Sequence, residues 1–197
     1  VVRDDDSLMK EYKEASSEAL TAFGDGTLFL EKFIERPKHI EVQILGDRHG
    51  NIVHLYERDC SIQRRFQKVV EIAPGVSIRK EGTREKLYEY ALKLARAVGY
   101  NNAGTVEFLL DEEENVYFIE VNPRIQVEHT VTEEVTGIDL VQWQIRVAAG
   151  ERLPFPEEMT PRGWAIECRI TSEDPANGFL PSTGRIQHLH LPAGPGV

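Results

Sequence analysis

Residues 104–129 read GTVEFLLDEEENVYFIEVNPRIQVEH. Two apolar runs, TVEFLL and VYFIEV, flank the acidic segment DEEEN, which predicts two strands joined by a turn. In the register expected for them Glu107 lies opposite Glu120, the turn is Glu112 to Asn115, Leu109 faces Phe118 and Thr105 faces Asn122. Past the hairpin, Glu120, Asn122, Arg124, Gln126 and Glu128 recur at every second position, and His129 follows. In an extended backbone these side chains project from one face, because strand side chains alternate. A solvated polar strand is the plain alternative.

Two carboxylates directly across a ladder lie about 5 Å apart and repel. A divalent cation between them removes the conflict, and Asn122 adds a neutral oxygen from the same face. An all-oxygen set of this kind suits Mg²⁺ or Mn²⁺, which usually also take phosphate oxygens and water. Glu107, Glu120 and Asn122 are therefore candidate metal ligands, and a metal-bridged nucleotide is the expected cargo. Arg124 offers paired donors to a planar oxyanion, and Glu128 is a carboxylate placed to act as a general base.

Composition bounds these ideas. The chain has 197 residues, 41% hydrophobic and 28% charged, enough for a sizeable core. A formal net charge of -10 argues against a nucleic-acid partner, since phosphate backbones reward a basic face. Cys60 and Cys168 are far apart and show no CxxC pattern, so neither a disulfide framework nor a zinc site is indicated, and a reducing compartment is expected. No apolar run approaches the roughly 18 residues of a membrane span. The chain opens on Val1-Val2-Arg3 and stops in LPAGPGV, which reads as a segment of a longer protein.

Working outward, Asp4 to Ser7 supply capping residues for a helix over 8–24, with Leu8, Tyr12, Ala15 and Ala19 on one face. TLFLEKFIE (27–35) reads as an edge strand broken at Arg36-Pro37, a plausible boundary between lobes. HIEVQILGD and NIVHLYERDCSIQ form a hairpin across 47–51, and KVVEIAP is a further strand after the basic cluster Arg64, Arg65, Lys68. A helix is expected from Ile78 to Tyr100, with Leu87, Ala91, Leu94 and Val98 on its apolar face, and another over 137–149. A Pro-rich link (153–163) leads to strand candidates WAIECRITSE and GRIQHLHLP. The sum is an α+β body dominated by antiparallel pairing.

The run Glu120-Val-Asn-Pro-Arg-Ile-Gln-Val-Glu-His129, with Glu107, ERDCSIQRRFQK (57–68) and ECRITSEDP (167–175), resembles the biotin carboxylase component of biotin-dependent carboxylases, which has an ATP-grasp fold. The similarity runs from end to end. Other ATP-grasp ligases share Glu-x-Asn, but the continuation Gln126-Val127-Glu128-His129 separates this branch from carbamoyl-phosphate synthetases. The resemblance implies a mainly antiparallel sheet with flanking helices, residues 1–33 ending the B (lid) subdomain and 34–197 forming part of the C-terminal lobe. It implies ATP contacts at Glu31, Lys32, Ile34, His39, Gln63, Glu107, Leu109 and Glu120. Metal ligands are Glu107, Glu120 and Asn122, and the bicarbonate site is Lys68, Arg124, Gln126 and Val127. Glu128 is the base that deprotonates bicarbonate, and Arg169 the residue that binds biotin and stabilises its enolate.

The implied reaction consumes MgATP (or MnATP) and bicarbonate to carboxylate biotin by way of carboxyphosphate. The implied partners are a biotin carboxyl carrier domain and a carboxyltransferase domain or subunit, in a homo-oligomer of the cytoplasm, or of the mitochondrial matrix in a eukaryote, with neither nucleic acid nor membrane. The wording is most similar to pyruvate carboxylase and acyl-CoA carboxylase. Phe66 stands where many members have His, so no polar contact is assigned to it, and stacking or packing is left open. The glycine-rich phosphate flap and the N-terminal nucleotide-fold domain of the family lie outside this sequence, so the segment by itself is expected to be inactive. Another ATP-grasp ligase and a non-catalytic module with the same fold are the competing readings. Arg124 near Glu128 is expected to favour the charged carboxylate and weaken it as a base, with burial opposing this.

Overall fold

The computed structural model describes residues 1–156 and 159–197. Asp4 accepts a hydrogen bond from the Ser7 amide at the start of α1 (Asp5–Phe23), and Gly24 ends it at φ 77. A short polar side chain at the N-cap and a glycine in the left-handed region are what helix ends require. None of the α1 residues is buried.

The body is a six-stranded sheet, all neighbours antiparallel, in the order β5-β4-β1-β2-β3-β6. Its strands are β1 (Lys38–Gly46), β2 (Ile52–Arg64), β3 (Gln67–Ala73), β4 (Asn102–Leu110), β5 (Val116–Asn122) and β6 (Ala165–Cys168). A two-stranded ribbon of β7 (Glu173–Asp174) and β8 (Leu180–Pro181) follows. The helices are α2 (Thr83–Ala97), α3 (His129–Thr136) and α4 (Leu140–Ala148).

Alternation assigns the two faces. On one, Ile40, Val42 and Ile44 of β1 and Val106, Phe108 and Leu110 of β4 pack against Leu87, Ala91 and Ala95 of α2. On the other, Leu45, Val53, Leu55 and Ala103 meet Leu140 and Val147 of α4, while Ala73 meets Val131 and Val135 of α3. The remaining positions of that second face are polar apart from Leu109: His39, Glu41 and Gln43 on β1 stand opposite Leu109, Glu107 and Thr105 on β4. Strands covered on both sides normally read as continuous apolar runs, so a buried polar stripe at one end of the sheet marks the site. Gly104 keeps β4 close to Tyr100, where an added Cβ would lie 2.2 Å from the phenol oxygen.

Several expectations are corrected. Residues 27–35 form no strand: Phe29, Leu30 and Phe33 are exposed, and the segment touches β5 through the Lys32 ammonium and the Tyr117 hydroxyl (2.9 Å) without ladder bonds. Propensity alone does not make a strand where no backbone partner is present. The same holds for 184–192, which carries no ladder either. The first helix starts at Asp5, and the second begins at Thr83 and buries Ala95 where Leu94 and Val98 were expected, both of which are exposed.

The extended backbone of the organising stretch ends at Asn122 because Pro123 has no amide hydrogen for the ladder. Residues 123–128 turn into α3, a helix the period-two reading passed over, and the helix expected over 137–149 is α4 capped by Asp139. The hairpin register holds at Glu107 opposite Glu120 and Thr105 opposite Asn122, but a bulge after Glu107 puts Phe108 opposite Phe118 and Leu109 opposite Tyr117. The Pro-rich link includes residues 157–158, outside the described residues. β6 is limited to Ala165–Cys168 of the longer run expected there.

Candidate active site

Glu107 is the centre of the stripe. Its Oε1 accepts from Lys68 Nζ (3.0 Å), Asn122 Nδ2 (3.0 Å) and Gln126 Nε2 (2.9 Å), and its Oε2 meets His39 Nε2 at 2.7 Å. Gln63 Nε2 faces His39 Nδ1 at 2.9 Å. An amide nitrogen can only donate, so the pattern assigns the His39 proton to Nε2, where it is donated to Glu107. Burial pushes the Glu107 carboxyl up, but the bonds from His39 and Gln126 and the Lys68 charge outweigh it and hold the group well below the usual carboxylate range.

Lys68, the second residue of β3, is the shared cation. Its Nζ reaches Glu41, Glu107 (3.0 Å) and Glu128 (2.7 Å). Burial lowers its pKa, but Glu41 foremost, with Cys60 and the bond to Glu128, outweighs this and raises it. Behind Glu41 lies Arg58, which is fully buried and also donates to Gln43, Thr105, Thr132 and Gln126. His39, Glu41 and Glu107 present ligand atoms within 4.8 Å of one another, and so do Glu41, Cys60 and Glu128. Lys68 and Arg58 already supply positive charge there.

Glu128 is buried just before α3, with Oε1 on Lys68 Nζ and Oε2 on Arg169 Nη2, both at 2.7 Å. Burial raises its pKa, and the Lys68 bond and charge overcome this and lower it. Arg124 does not make the expected pair with Glu128. It is exposed, and its guanidinium donates to the Ile125 carbonyl (3.2 Å) and the Asn122 amide oxygen (3.5 Å). The turn at Pro123 moves it off the face on which Glu128 sits, so Lys68 and Arg169 are the cations that touch that carboxylate, with the charge of Arg58 behind them.

The metal set fits a hard divalent cation by its chemistry. Asn122 Nδ2 bridges Glu107 Oε1 (3.0 Å) and Glu120 Oε1 (3.1 Å), so an amide donor stands between the opposed carboxylates. Turning that amide over presents its oxygen in place of its nitrogen and completes an all-oxygen set.

The structure therefore brings together His39, Gln63, Lys68, Glu107, Glu120, Asn122, Gln126, Glu128 and Arg169. Leu109 is on the neighbouring stretch of β4, Ile34 is buried, and Glu31, Lys32 and Val127 are exposed. Phe66 is 98% exposed at φ 63 on the tip of the β2–β3 turn, where it neither stacks nor packs. Arg64 turns away to pair with Glu173 and lies over the Phe179 ring. Glu41, Arg58 and Glu71 were not singled out from the sequence. The alternation His39, Glu41, Gln43 was the available signal.

The family described as "Carbamoyl-phosphate synthase L chain, ATP binding domain" matches residues 1–155. The chain belongs to that family. Within it, "Pyruvate carboxylase 1" of Caenorhabditis elegans is 62% identical over 190 residues, covering 94% of this chain and 16% of that protein. The solved "Biotin Carboxylase domain of Thermophilic 2-Oxoglutarate Carboxylase bound to Bicarbonate" superposes with a TM-score of 0.91 at 54% identity, over 98% of this chain and 43% of that one. A Hydrogenobacter thermophilus biotin carboxylase domain dimer with MgADP, ADP and bicarbonate gives 0.86 at 54% identity, over 98% and 42%. The chain thus spans less than half the length of these relatives. The sheet and its helices are those of biotin carboxylase ATP-grasp domains.

Proposed function

We propose that this chain builds the floor of a biotin carboxylase active site, in which bicarbonate is activated by ATP and biotin is then carboxylated on a carrier protein. The observation that carries the reading is Glu128: a buried carboxylate with one oxygen on Lys68 and the other on Arg169, beside the opposed pair Glu107 and Glu120.

Lys68, Gln126, Arg124 and the Val127 backbone would hold bicarbonate. His39, Gln63, Leu109, Ile34, Glu31 and Lys32 would bind the nucleotide. Glu107, Glu120 and Asn122 would hold Mg²⁺ or Mn²⁺, which neutralises developing phosphoryl charge when bound. Bicarbonate gives its proton to Glu128 and attacks the γ-phosphate, breaking its bond to the ADP leaving group; carboxyphosphate then splits into CO2 and phosphate, the phosphate takes the ureido N–H proton of biotin, and the resulting enolate, held by Arg169, bonds to CO2 through its nitrogen. Holding the small solutes together removes much of the entropic barrier. Glu128 is a weak base while Lys68 and Arg169 both grip it. Anionic substrates that draw those cations toward themselves raise its proton affinity at the moment it is needed.

Residues 1–33 are assigned to the lid lobe and 34–197 to the C-terminal lobe. Carrier and carboxyltransferase partners outside this chain would fix the final acceptor, and the dimer named for the H. thermophilus relative supports a homo-oligomer. Among the described residues no helix is long and apolar enough to cross a membrane, and both cysteines are free, which supports work in a reducing compartment such as the cytoplasm or mitochondrial matrix.

The test is Glu128→Gln in the full-length protein. Bicarbonate-dependent ADP release is expected to fall by about 100-fold or more, with nucleotide affinity retained. Turnover at the wild-type rate overturns the assignment.

A further inference from the structure

Glu71 has no part in the proposed reaction, yet it is fully buried on β3, opposite Glu167 of β6. Its Oε1 accepts from Arg169 Nε at 2.7 Å, and its Oε2 has no hydrogen-bond partner among the described residues. Leaving a buried carboxylate oxygen unmet is unfavourable, and such groups call for an explanation.

The explanation lies in how Arg169 is held. Its backbone amide donates to the Val69 carbonyl (2.9 Å), which fixes the residue beside β3. Its side chain then meets two carboxylates along one edge of the guanidinium, Glu71 at Nε and Glu128 at Nη2, each at 2.7 Å. Nη1 makes no hydrogen bond among the described residues and is left for a ligand. The two carboxylates are not equivalent. Glu128 is also bound by Lys68 and serves as the base, so it alternates between carboxylate and neutral acid as the bicarbonate O–H bond breaks and the Glu128 O–H bond forms. As a neutral acid it attracts a guanidinium far less. Glu71 contacts Arg169 and no other cation among the described residues, and its free oxygen is closed off from solvent.

We propose that Glu71 is a positioning residue for Arg169, holding the guanidinium by Nε so that Nη1 stays aimed at the substrate while Glu128 carries a proton. The role rests on the proposed biotin carboxylase function. The two carboxylates then have separate roles, Glu128 moving a proton and Glu71 keeping the partner cation in place. Burial outweighs the opposing Arg169 charge and raises the Glu71 carboxyl, so the contact with Arg169 is what favours its charged form.

The test uses Glu71→Gln in the full-length protein, which keeps the shape and an acceptor but removes the charge. Two rates are compared: bicarbonate-dependent ATP cleavage without biotin, and carboxylation of free biotin. The expected result is a fall of about ten-fold or more in kcat for biotin carboxylation. KM for ATP and bicarbonate, the biotin-free ATP cleavage and the thermal midpoint are expected to stay close to wild type. Glu71→Asp, which retains the charge, is expected to recover part of the lost kcat, and it serves as the primary variant if Glu71→Gln does not fold. Wild-type biotin carboxylation by Glu71→Gln overturns the proposal, as does a parallel fall of both rates with the midpoint. Absence of bicarbonate-dependent ATP cleavage in the wild-type protein overturns the biotin carboxylase function itself, and the role falls with it.

Discussion

Arg58 has no exposed surface, and its three guanidinium nitrogens donate to five side chains. One of them, Glu41, holds Lys68, and another, Gln126, donates to Glu107. Arg58 is thus the lower tier of the site, and its ion-pair partner among the described residues is Glu41 directly across the ladder, with Glu128 adding negative charge nearby. Removing one partner of a buried ion pair leaves the other uncompensated, at a cost of about 3–5 kcal/mol, whereas replacing both with apolar groups is often neutral. Arg58→Met is expected to lower stability by about that amount in urea unfolding, and Arg58→Met with Glu41→Leu to regain most of it. Equal losses in the single and double variants would show that the pair is not the unit. From the sequence, the juxtaposition of Glu107, Glu120 and Asn122 was legible because alternation holds along the β4–β5 hairpin, whereas Glu128 lies past Pro123, where that alternation ends. Arg58 was not legible, since a charge inside ERDC reads as a solvated strand position until β1 is laid beside it. The closeness expected between Arg124 and Glu128 failed for a related reason: period two held only as far as Pro123.

At the level of elements, the β4–β5 hairpin shows how local sequence and tertiary ties combine. Its turn is acidic, and Glu114 at φ 59 is folded back so that Oε1 accepts from the Arg79 amide (2.9 Å) and Lys38 Nζ (2.9 Å), and Oε2 from the Lys80 amide (2.9 Å). The turn that presents Glu107 to Glu120 is thereby clipped to the loop before α2 and to β1. Burial pushes the Glu114 carboxyl up, but these donors hold it down at about 2 against an ordinary 4.5. A depressed carboxylate contributes stability that is full above the unfolded-state value and is lost as pH falls through the folded one. Glu114→Gln is therefore expected to cost about 2 kcal/mol near neutrality. The gap to wild type should close between about pH 4.5 and pH 2; a gap that persists unchanged at pH 2 would place the effect in packing instead. The hairpin's existence and its register at Glu107–Glu120 and Thr105–Asn122 were readable from alternation, while the bulge after Glu107 was not, because nothing in TVEFLL distinguishes a bulged from a regular strand. The run 27–35 looked like a strand because β-propensity measures fit to a pleated surface, and this segment has none beside it.

Across the whole molecule, one sheet separates two apolar layers and carries the polar stripe at the end of one face. β1 contributes to both layers, Ile40, Val42 and Ile44 to the α2 side and Leu45 to the α4 side, and three of its other positions, His39, Glu41 and Gln43, go to the site. The α+β class and the dominance of antiparallel pairing were legible from hairpin spacing, while the strand order, with its β1–β4 and β3–β6 pairings, was not. Which helix covers which face was not, because α3 and α4 are short and their apolar residues fit either side. Because the site hangs on a strand common to both layers, the layers are expected to unfold together. Trp143 packs on the α4 side against Phe155 at 4.9 Å between ring centres, and the chain has two Trp, so Trp164→Phe leaves Trp143 as a probe of that layer alone. In that background Leu87→Ala, a cavity on the opposite face, is expected to cost about 2–5 kcal/mol. It should move the Trp143 fluorescence transition in denaturant by the same amount as the circular dichroism transition. Fluorescence that keeps its original midpoint while the dichroism shifts would mean that the α4 layer melts independently, and that the site is held from one side only.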